Sequence, residues 1–480
     1  MQERFIRSYS PDEFEAEKHF YPRALNAVLH PLARYFMSLS NNRIAERYHH
    51  LHPEIKKPAI YEILNYQSTY FYWGGADLIM TANETGERKL ALIETNSCAS
   101  GQKSMPQGNL EQEGAGYRQI IEHAFLPRLK GRRVSTGGLA VLFDKNEMEA
   151  SGYAAYLAEL CNEPVHLVGY CNQENDPRVR VTDEGWVEIQ NEQNEWITIR
   201  AAFRYMTQKP WNRLPPLTKT LVFNPILTCL AGGRNKLLAA KAYDFFNAEY
   251  LDTGLNIYTP ETIVDVGKEA IPLWVQKMGG LAVIKVPYAN AGIGVYTITS
   301  PEELDDFMQT EFDYDKFIVQ ALIGNSKWSS RGTSGRMFHV GTVPDRRCQI
   351  FVSDLRMMVA NGPNGFFPVA TYARRAAKPL PTDAPKESSW DVLGTNLSKF
   401  DPKSRSWSSD TERLLMVDNK DFNRLGIGID DLIQAYMQTA MSVVAIDKMA
   451  KGLVNKKGQF RKKLFRTINP DDSLTKELME

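Results

Sequence analysis

Residues 89–101, KLALIETNSCASG, decide the fold. Leu90, Leu92 and Ile93 supply an apolar strand, and Glu94 and Asn96 stand where it runs out into small residues. Side chains two apart in a strand point to the same side, so a carboxylate and an amide oxygen share one face here. Hard cations such as Mg²⁺ take oxygen ligands of this kind, usually together with nucleotide phosphates. Upstream, Trp73-Gly-Gly-Ala-Asp77-Leu-Ile-Met80 reads as a second short strand carrying Asp77. Residues 81–88, TANETGER, read as the turn that folds it back. The resulting hairpin places Asp77 beside Glu94 and Asn96. An E-x-N pair alone is equally well a strand end capped by solvated polar groups; the rest of the chain weighs against that.

At 480 residues the chain can bury a large core and hold two to three lobes. Its apolar and charged fractions, 43% and 24%, are those of a soluble globular protein. Lys+Arg equals Asp+Glu at 57 each, so no bulk charge favours nucleic acid or a membrane. Cys98, Cys161, Cys171, Cys229 and Cys348 are scattered and odd in number, which suits free thiols in a reducing compartment. The first residues, MQERFIRSYSPDEFEAEK, do not read as a signal peptide. No run approaches the roughly 20 apolar residues of a membrane span. The expected location is cytoplasmic.

Outward from the hairpin the chain divides. Residues 10–70 read as helical and rich in aromatics, broken by Pro53 and Pro58. Residues 114–129 read as a helix, with Tyr117, Ile120, Ile121, Ala124 and Phe125 at helical spacing. Strand 139–143, helix 147–161 and strand 164–168 follow in the order of a parallel α/β unit. Residues 172–200 alternate around Trp186 and Trp196 as an antiparallel excursion, and a new region opens near Leu221. The basic stretch KKGQFRKK near the end reads as a solvated surface.

The region after 221 carries phosphate chemistry. Asn235-Lys236 begins a helix containing Lys241, Phe245 and Phe246. Residues 281–296, LAVIKVPYANAGIGVY, form a strand ending in Lys285, a small-residue loop with Gly292 and Gly294, and a returning strand. Such a loop lets backbone N–H groups approach phosphate, and the lysine neutralises its charge. Gly-x-Gly alone is weak, and a tight hairpin accounts for it equally. Lys316-Phe-Ile-Val-Gln320-Ala321-Leu322-Ile323 is an apolar strand with one polar break, suited to a hinge whose backbone meets an adenine edge. Asp354 and Arg356 share one face of the strand expected over 348–359, and its hairpin partner carries Arg374 and Arg375. Guanidinium groups aimed at a phosphoryl group serve phosphoryl or acyl-phosphate chemistry.

In this order Asn235-Lys236, Ile284-Lys285 with Gly292 and Gly294, Val319-Gln320-Ala-Leu-Ile, Asp354-Leu-Arg356, Arg374-Arg375 and Asn396 resemble the ATP-grasp superfamily. An ordinary member ends in an E-x-N strand. Here that motif is Glu94-Thr-Asn96, far upstream, and nothing after Asn396 replaces it. The order is similar to circularly permuted ATP-grasp proteins and to the synthetase part of glutathionylspermidine synthase. Their G-R-x-D strand corresponds to Gly74-Gly75-Ala-Asp77, without the arginine, and their acid-and-threonine segment to Ser97-Cys98-Ala99-Ser100. Both departures bear on the acyl substrate rather than on the nucleotide.

The resemblance implies an α/β (α+β) ATP-grasp fold with a preceding α/β domain, permuted so that the metal-binding strand is N-terminal. The implied division is a helical region at 1–60, the metal hairpin at 61–110, an α/β domain at 111–220, nucleotide lobes at 221–410, and a helix and basic tail at 411–480. It implies an ATP-dependent carboxylate–amine ligase acting through an acyl phosphate. The substrates would be a small-molecule or peptide carboxylate and an amine, with no nucleic acid and no membrane as partner. The cofactors would be ATP and Mg²⁺. Asp77, Glu94 and Asn96 would hold the metal. Lys236, Lys285, Gly292, Gly294 and the hinge Gln320, Ala321, Leu322 and Ile323 would hold the nucleotide. Arg356, with Arg374 or Arg375, would stabilise the acyl phosphate. Two other classes compete: a phosphotransferase on the same fold, and a nucleotide-binding scaffold without turnover.

Overall fold

The computed structural model describes residues 6–106, 115–132, 136–169, 178–191, 193–206, 213–289, 292, 294–333, 335–385, 388–401 and 406–479. Three sheets organise this mixed α/β chain. The first holds the strands Ile6–Tyr9, Val165–Gly169, Gly138–Phe143, Trp196–Tyr205, Val187–Gln190 and Val179–Val181 in that spatial order. Its centre is parallel: Gly138–Phe143 pairs in parallel with both Val165–Gly169 and Trp196–Tyr205. A parallel pair needs a crossover, and the helix Glu147–Cys161 supplies it. Leu139 to Phe143 is buried throughout, as strands covered on both faces require. The helix expected over 114–129 runs from Ala115–Ile120 through a π-turn at Ile121–Phe125 into Leu126–Lys130.

The second sheet is antiparallel and runs Met337–His339, Trp73–Asn83, Ser353–Gly362, Gly365–Arg375, Leu414–Leu415, with Arg88–Asn96 also on Trp73–Asn83. The third is four antiparallel strands, Thr262–Val266, Phe317–Ala321, Ala282–Lys285 and Val295–Ile298. The helix Ile429–Gly452 is buried along most of its 24 residues and packs on the second sheet and on the helix Lys236–Glu249. A helix apolar nearly all round belongs inside. Its one buried carboxylate, Asp447, accepts from the backbone N–H of Thr69, Tyr70 and Phe71 at 3.1, 2.7 and 2.8 Å. Those bonds satisfy the charge and pin the chain entering the second sheet.

Three expectations need correction. Leu221 does not open a new region: Leu221–Phe223 pairs in parallel with Trp196–Tyr205 and extends the first sheet. The strand expected from Cys348 begins at Ser353, because Cys348 lies at φ +57° in a turn where Asp345 accepts from the N–H of Arg347 and Gln349. The N-terminal stretch is helical in short pieces, but Ile6–Tyr9 joins the α/β sheet against Val165–Gly169. Pairing across so long a separation leaves no local pattern to read.

Candidate active site

The second and third sheets face each other across a cavity of about 300 Å³, and the elements lining it bring the sequence-predicted residues together. Asp77, Glu94, Asn96, Lys285, Gly292, Gln320 to Ile323, Arg356, Arg374 and Asn396 all line it. Lys236 lines an adjoining pocket of about 200 Å³ that shares Glu94, Arg234, Lys285 and Gln320 with the first.

The hairpin geometry follows from its register. Trp73–Asn83 pairs with Arg88–Asn96 so that Asp77 stands opposite Glu94, and an irregularity between Asp77 and Leu78 leaves Ile93 unpaired. A bulge of this kind re-aims the side chains beside it. Asn96 lies opposite Gly75. A Cβ built on Gly75 would come within 2.5 Å of the Ala99 Cβ, so the loop after Asn96 can cross the strand only over a glycine.

Lys285 ends the strand Ala282–Lys285 and is 5% exposed. Its Nζ stands 3.5 Å from the Ile93 carbonyl, 192 residues away in the chain, so the lysine strand meets the hairpin directly. Lys236, at the start of its helix, donates to the Ala289 carbonyl at 2.6 Å and lies 3.7 Å from Glu94 Oε2. Burial lowers the Lys285 ammonium to about 8, against the opposing pull of Glu94. Lys236 is likewise lowered by burial, with Glu94 opposing. Burial raises the Glu94 carboxyl, but Lys236, Arg234 and Lys285 outweigh it and hold the group below its ordinary value.

Beside this cluster lies a closed quartet of charges. Arg356 donates to both oxygens of Asp77 at 2.6 Å, across 279 residues of chain. Arg374 lies 2.9 Å from Asp77 Oδ2 and is also paired with Asp354 in two hydrogen bonds. Thr395 donates to Asp354 at 2.9 Å. Burial raises the Asp77 carboxyl, yet the two guanidiniums hold it well below the usual carboxylate range. The register sets this up, since Arg356 is the cross-strand partner of Asp77 and Arg374 that of Asp354. Arg375 is a correction. It follows Arg374 in the strand, and alternation sends it to the other face, where its guanidinium lies 4.5 Å from the Phe351 ring centroid and donates to the Ala376 carbonyl. Arg374 is the member of the pair in the cleft.

At the hinge, Gln320 donates to the Thr262 hydroxyl at 2.8 Å, and Ser330 and Leu322 exchange hydrogen bonds at 2.7 and 2.9 Å. Gly292 and Gly294 both sit at φ +76°. A Cβ on Gly292 would come within 2.9 Å of Trp390, so that position needs glycine for conformation and space alike. Gly294 turns the loop but does not line the cavity. Residues 290, 291 and 293 of this loop lie outside the described residues.

Several lining residues carry no signal in the sequence. Lys145 and Asn146 follow the parallel strand Gly138–Phe143, and Arg234 follows a glycine pair. Glu149 accepts from Ser100 Oγ and from the N–H groups of Gly101 and Gln102 at 2.8, 3.0 and 3.1 Å, fixing the loop after the E-x-N strand. Cys98 Sγ accepts from Arg234 at 3.1 Å. Burial raises that thiol, but Arg234, Lys145 and Arg204 outweigh it and bring it down to about 6. Among the described residues no three His, Cys, Asp or Glu side chains gather as a metal site, and no helix is long and apolar enough to cross a membrane.

No family model and no curated relative matches the sequence. Among solved structures, a RimK domain ATP-grasp protein from Sphaerobacter thermophilus is 15% identical, with a TM-score of 0.29 over 48% of this chain and 89% of that one. A glutathione synthetase-like effector from Globodera pallida is 8% identical, with a TM-score of 0.36 over 71% of this chain and 81% of that one. A carboxyaminoimidazole ribonucleotide synthase from Aspergillus clavatus, solved with ATP, is 10% identical, with a TM-score of 0.22 over 53% and 66%. All three TM-scores lie below 0.5.

Proposed function

We propose that the chain is an ATP-dependent carboxylate–amine ligase with a circularly permuted ATP-grasp order. The observation that carries this reading is the meeting of Glu94 and Asn96 with Lys285 in one cleft between two antiparallel sheets, with Lys236 in the adjoining pocket that shares Glu94 and Lys285. Phosphoryl transfer is catalysed mainly by positioning and charge neutralisation, and those residues supply both. ATP would pass its γ-phosphoryl group to a carboxylate oxygen of the acid, releasing ADP. The amine would then attack the acyl phosphate, inorganic phosphate would leave, and the amine would give up a proton. Lys285 and Lys236 would neutralise phosphate charge. Val283, Leu322 and Leu393 in the cavity wall would cover the base.

The donor set suits Mg²⁺. Glu94 and Asn96 offer hard oxygens. Asp77 would be the third ligand through Oδ1, which accepts from Arg356 alone and keeps a second lone-pair site, whereas Oδ2 already meets Arg356 and Arg374. When bound, Mg²⁺ would supply the charge that holds the phosphates. Arg374 and Arg356 would face the transferred group from the Asp77 side. The hairpin at 61–110 would be the permuted part of the nucleotide lobes, which would run from beyond Phe223 to 410, beside an α/β domain extended from 111–220 to include Leu221–Phe223. The acid would be a small molecule or peptide, and the compartment the cytoplasm.

The test is ADP and phosphate release with Mg²⁺, ATP and paired panels of acids and amines. Turnover should need both an acid and an amine. Glu94→Gln, nearly isosteric, should keep the fold and lose Mg²⁺-dependent release. Release without any acid, or phosphohistidine formation, would point to phosphotransfer instead; nucleotide binding without release would point to a scaffold.

A further inference from the structure

One stretch of the cavity wall comes from the first sheet and has no part in the chemistry above. Lys145 and Asn146 follow the parallel strand Gly138–Phe143 and reach the cavity beside Cys98, Ser100 and Arg234. Lys145, Asn146 and Ser100 are half-buried, so a ligand in the cavity can meet them.

Charge is unevenly shared along this stretch. Lys145 Nζ donates to the Cys98 carbonyl at 3.2 Å and lies 5.5 Å from the Tyr205 ring centroid. Arg234 donates to Cys98 Sγ at 3.1 Å. Beneath the wall, the fully buried Arg204 donates to Ser97 Oγ and to the carbonyls of Asn224 and Met206, and its Nη1 lies 3.9 Å from Cys98 Sγ. Three cations thus surround one cysteine. The neighbouring carboxylates are engaged: Asp144 pairs with Arg213 at 2.9 Å, and Glu149 accepts from Ser100 Oγ and from the N–H groups of Gly101 and Gln102. Even with the Cys98 thiol ionised and Glu149 counted, positive charge remains in excess. Cations withdrawn from water without enough counter-charge are costly, and an anionic ligand relieves the cost. Burial pushes the Lys145 ammonium down to about 8, with Arg234 lowering it further and Cys98 and Asp144 opposing.

Arg356 sets the length of that ligand. Its Nη1 lies 3.4 Å from the Ser100 carbonyl, two residues along the chain from the Cys98 carbonyl that Lys145 holds. Two residues of chain span at most about 7 Å, so Arg356 and Lys145 stand a short acid's length apart.

We propose that the acid substrate is a dicarboxylate: one carboxylate is phosphorylated beside Arg356, and Lys145, with Arg234, holds the other. The proposal rests on the ligase reading above and deepens it by naming the class of the acid. The second carboxylate stays ionised and serves orientation. Ammonium and guanidinium groups both match carboxylate oxygens, whereas a neutral tail would leave the cations unmatched.

The experiment measures calorimetric affinities of the full-length protein, saturated with Mg-ADP in excess Mg²⁺, for malonate, succinate, glutarate and adipate and for the monoamide of each. At least one dicarboxylate should bind tenfold or more tightly than its monoamide. Lys145→Met removes the charge and keeps most of the stem; it should cut that ratio to under threefold and change Mg-ADP affinity less than threefold. Lys145→Arg, which keeps a cation, should retain part of the preference, as a merely structural role for the stem would not require. Lys145→Gln serves if Lys145→Met does not fold. Equal binding of acids and monoamides, binding of none of them, or a ratio that Lys145→Met leaves unchanged overturns the proposal while the nucleotide site stands. Failure of the wild type to bind Mg-ADP overturns the nucleotide reading and this inference with it.

Discussion

At the scale of residues, the charge quartet divides the arginines into unequal classes. Arg356 and Arg374 are buried against Asp77 and Asp354, whereas Arg375 lies over Phe351. Removing one partner of a buried pair strands the other charge and costs about 3–5 kcal/mol. Arg356→Met should therefore lower stability by that order in urea unfolding, and Arg375→Met by under about 1 kcal/mol, with turnover little changed. Equal losses would mean that the two faces of the Gly365–Arg375 strand are wrongly assigned. The pairing also qualifies how Arg356→Met is read: a fall in turnover includes the release of Asp77, so affinity for Mg-ADP must be measured alongside it. Lys285 gives a pH test. Its ammonium is lowered to about 8 by burial, with Glu94 raising it and Lys236 lowering it. Bound phosphate favours the charged form, so binding takes up a proton once the empty site has lost one. Mg-ATP affinity should fall as pH rises through about 8, by up to about tenfold per unit. Lys285→Met should weaken binding by roughly 1.5–3 kcal/mol at pH 7 and flatten that decline. The stability sign is opposite: the folded value lies below the unfolded one, so protein without nucleotide gains stability from this group between about pH 8 and its ordinary value.

At the scale of elements, Lys236 and the segment after Lys285 are tied to Asn469. Asn235 caps the helix Lys236–Glu249 by accepting from the Leu238 N–H. Its side chain also donates to Asn469 Oδ1 at 2.7 Å, and Asn469 donates to the Tyr288 hydroxyl at 2.8 Å. Asn235 and Asn469 are wholly buried, so the link is rigid. It joins the helix that starts with Lys236 to the segment after Lys285. Asn469→Ala should raise KM for ATP several-fold with kcat less affected, because positioning of the phosphate groups is lost and not the reacting ones. An unchanged KM would reduce the tail to packing. This element also shows what the sequence made legible. Period-two alternation placed Glu94 with Asn96, and Asp354 with Arg356, on shared strand faces, because side-chain direction in a strand is local. Alternation also fixes that Arg374 and Arg375 diverge, but not which of them faces the cleft. The Asn235–Asn469 bond was out of reach, since two buried amides far apart carry no period. The same holds for Lys145 just past a strand end.

At the scale of the whole molecule, the cleft is built from segments that the chain visits in an unusual order. The hairpin at Trp73–Asn83 and Arg88–Asn96 is laid down before all of the α/β sheet but Ile6–Tyr9, and its partner strands Ser353–Gly362 and Gly365–Arg375 come only after the lysine sheet. The motif order pointed to a backward pairing, since no counterpart of the E-x-N strand follows Asn396, and the hairpin does pair with Ser353–Gly362. The closure of the first sheet by Ile6–Tyr9 and Leu221–Phe223 was not visible, because short strands are completed by their neighbours. A single site spanning two sheets makes a demand that neither sheet alone would. Mg-ADP at about 100 times its Kd should stabilise the protein by about 2.7 kcal/mol. If it bridges the sheets, hydrogen exchange should slow together in Ala282–Lys285 and in Arg88–Asn96, though Lys285 and Ile93 lie 192 residues apart. Glu94→Gln should remove the Mg²⁺-dependent share of that protection in both strands, because the hairpin would keep its lysine contact but lose its hold on the metal. Protection confined to the lysine sheet would mean that nucleotide binds without the hairpin, and would remove the support for the proposed permuted order.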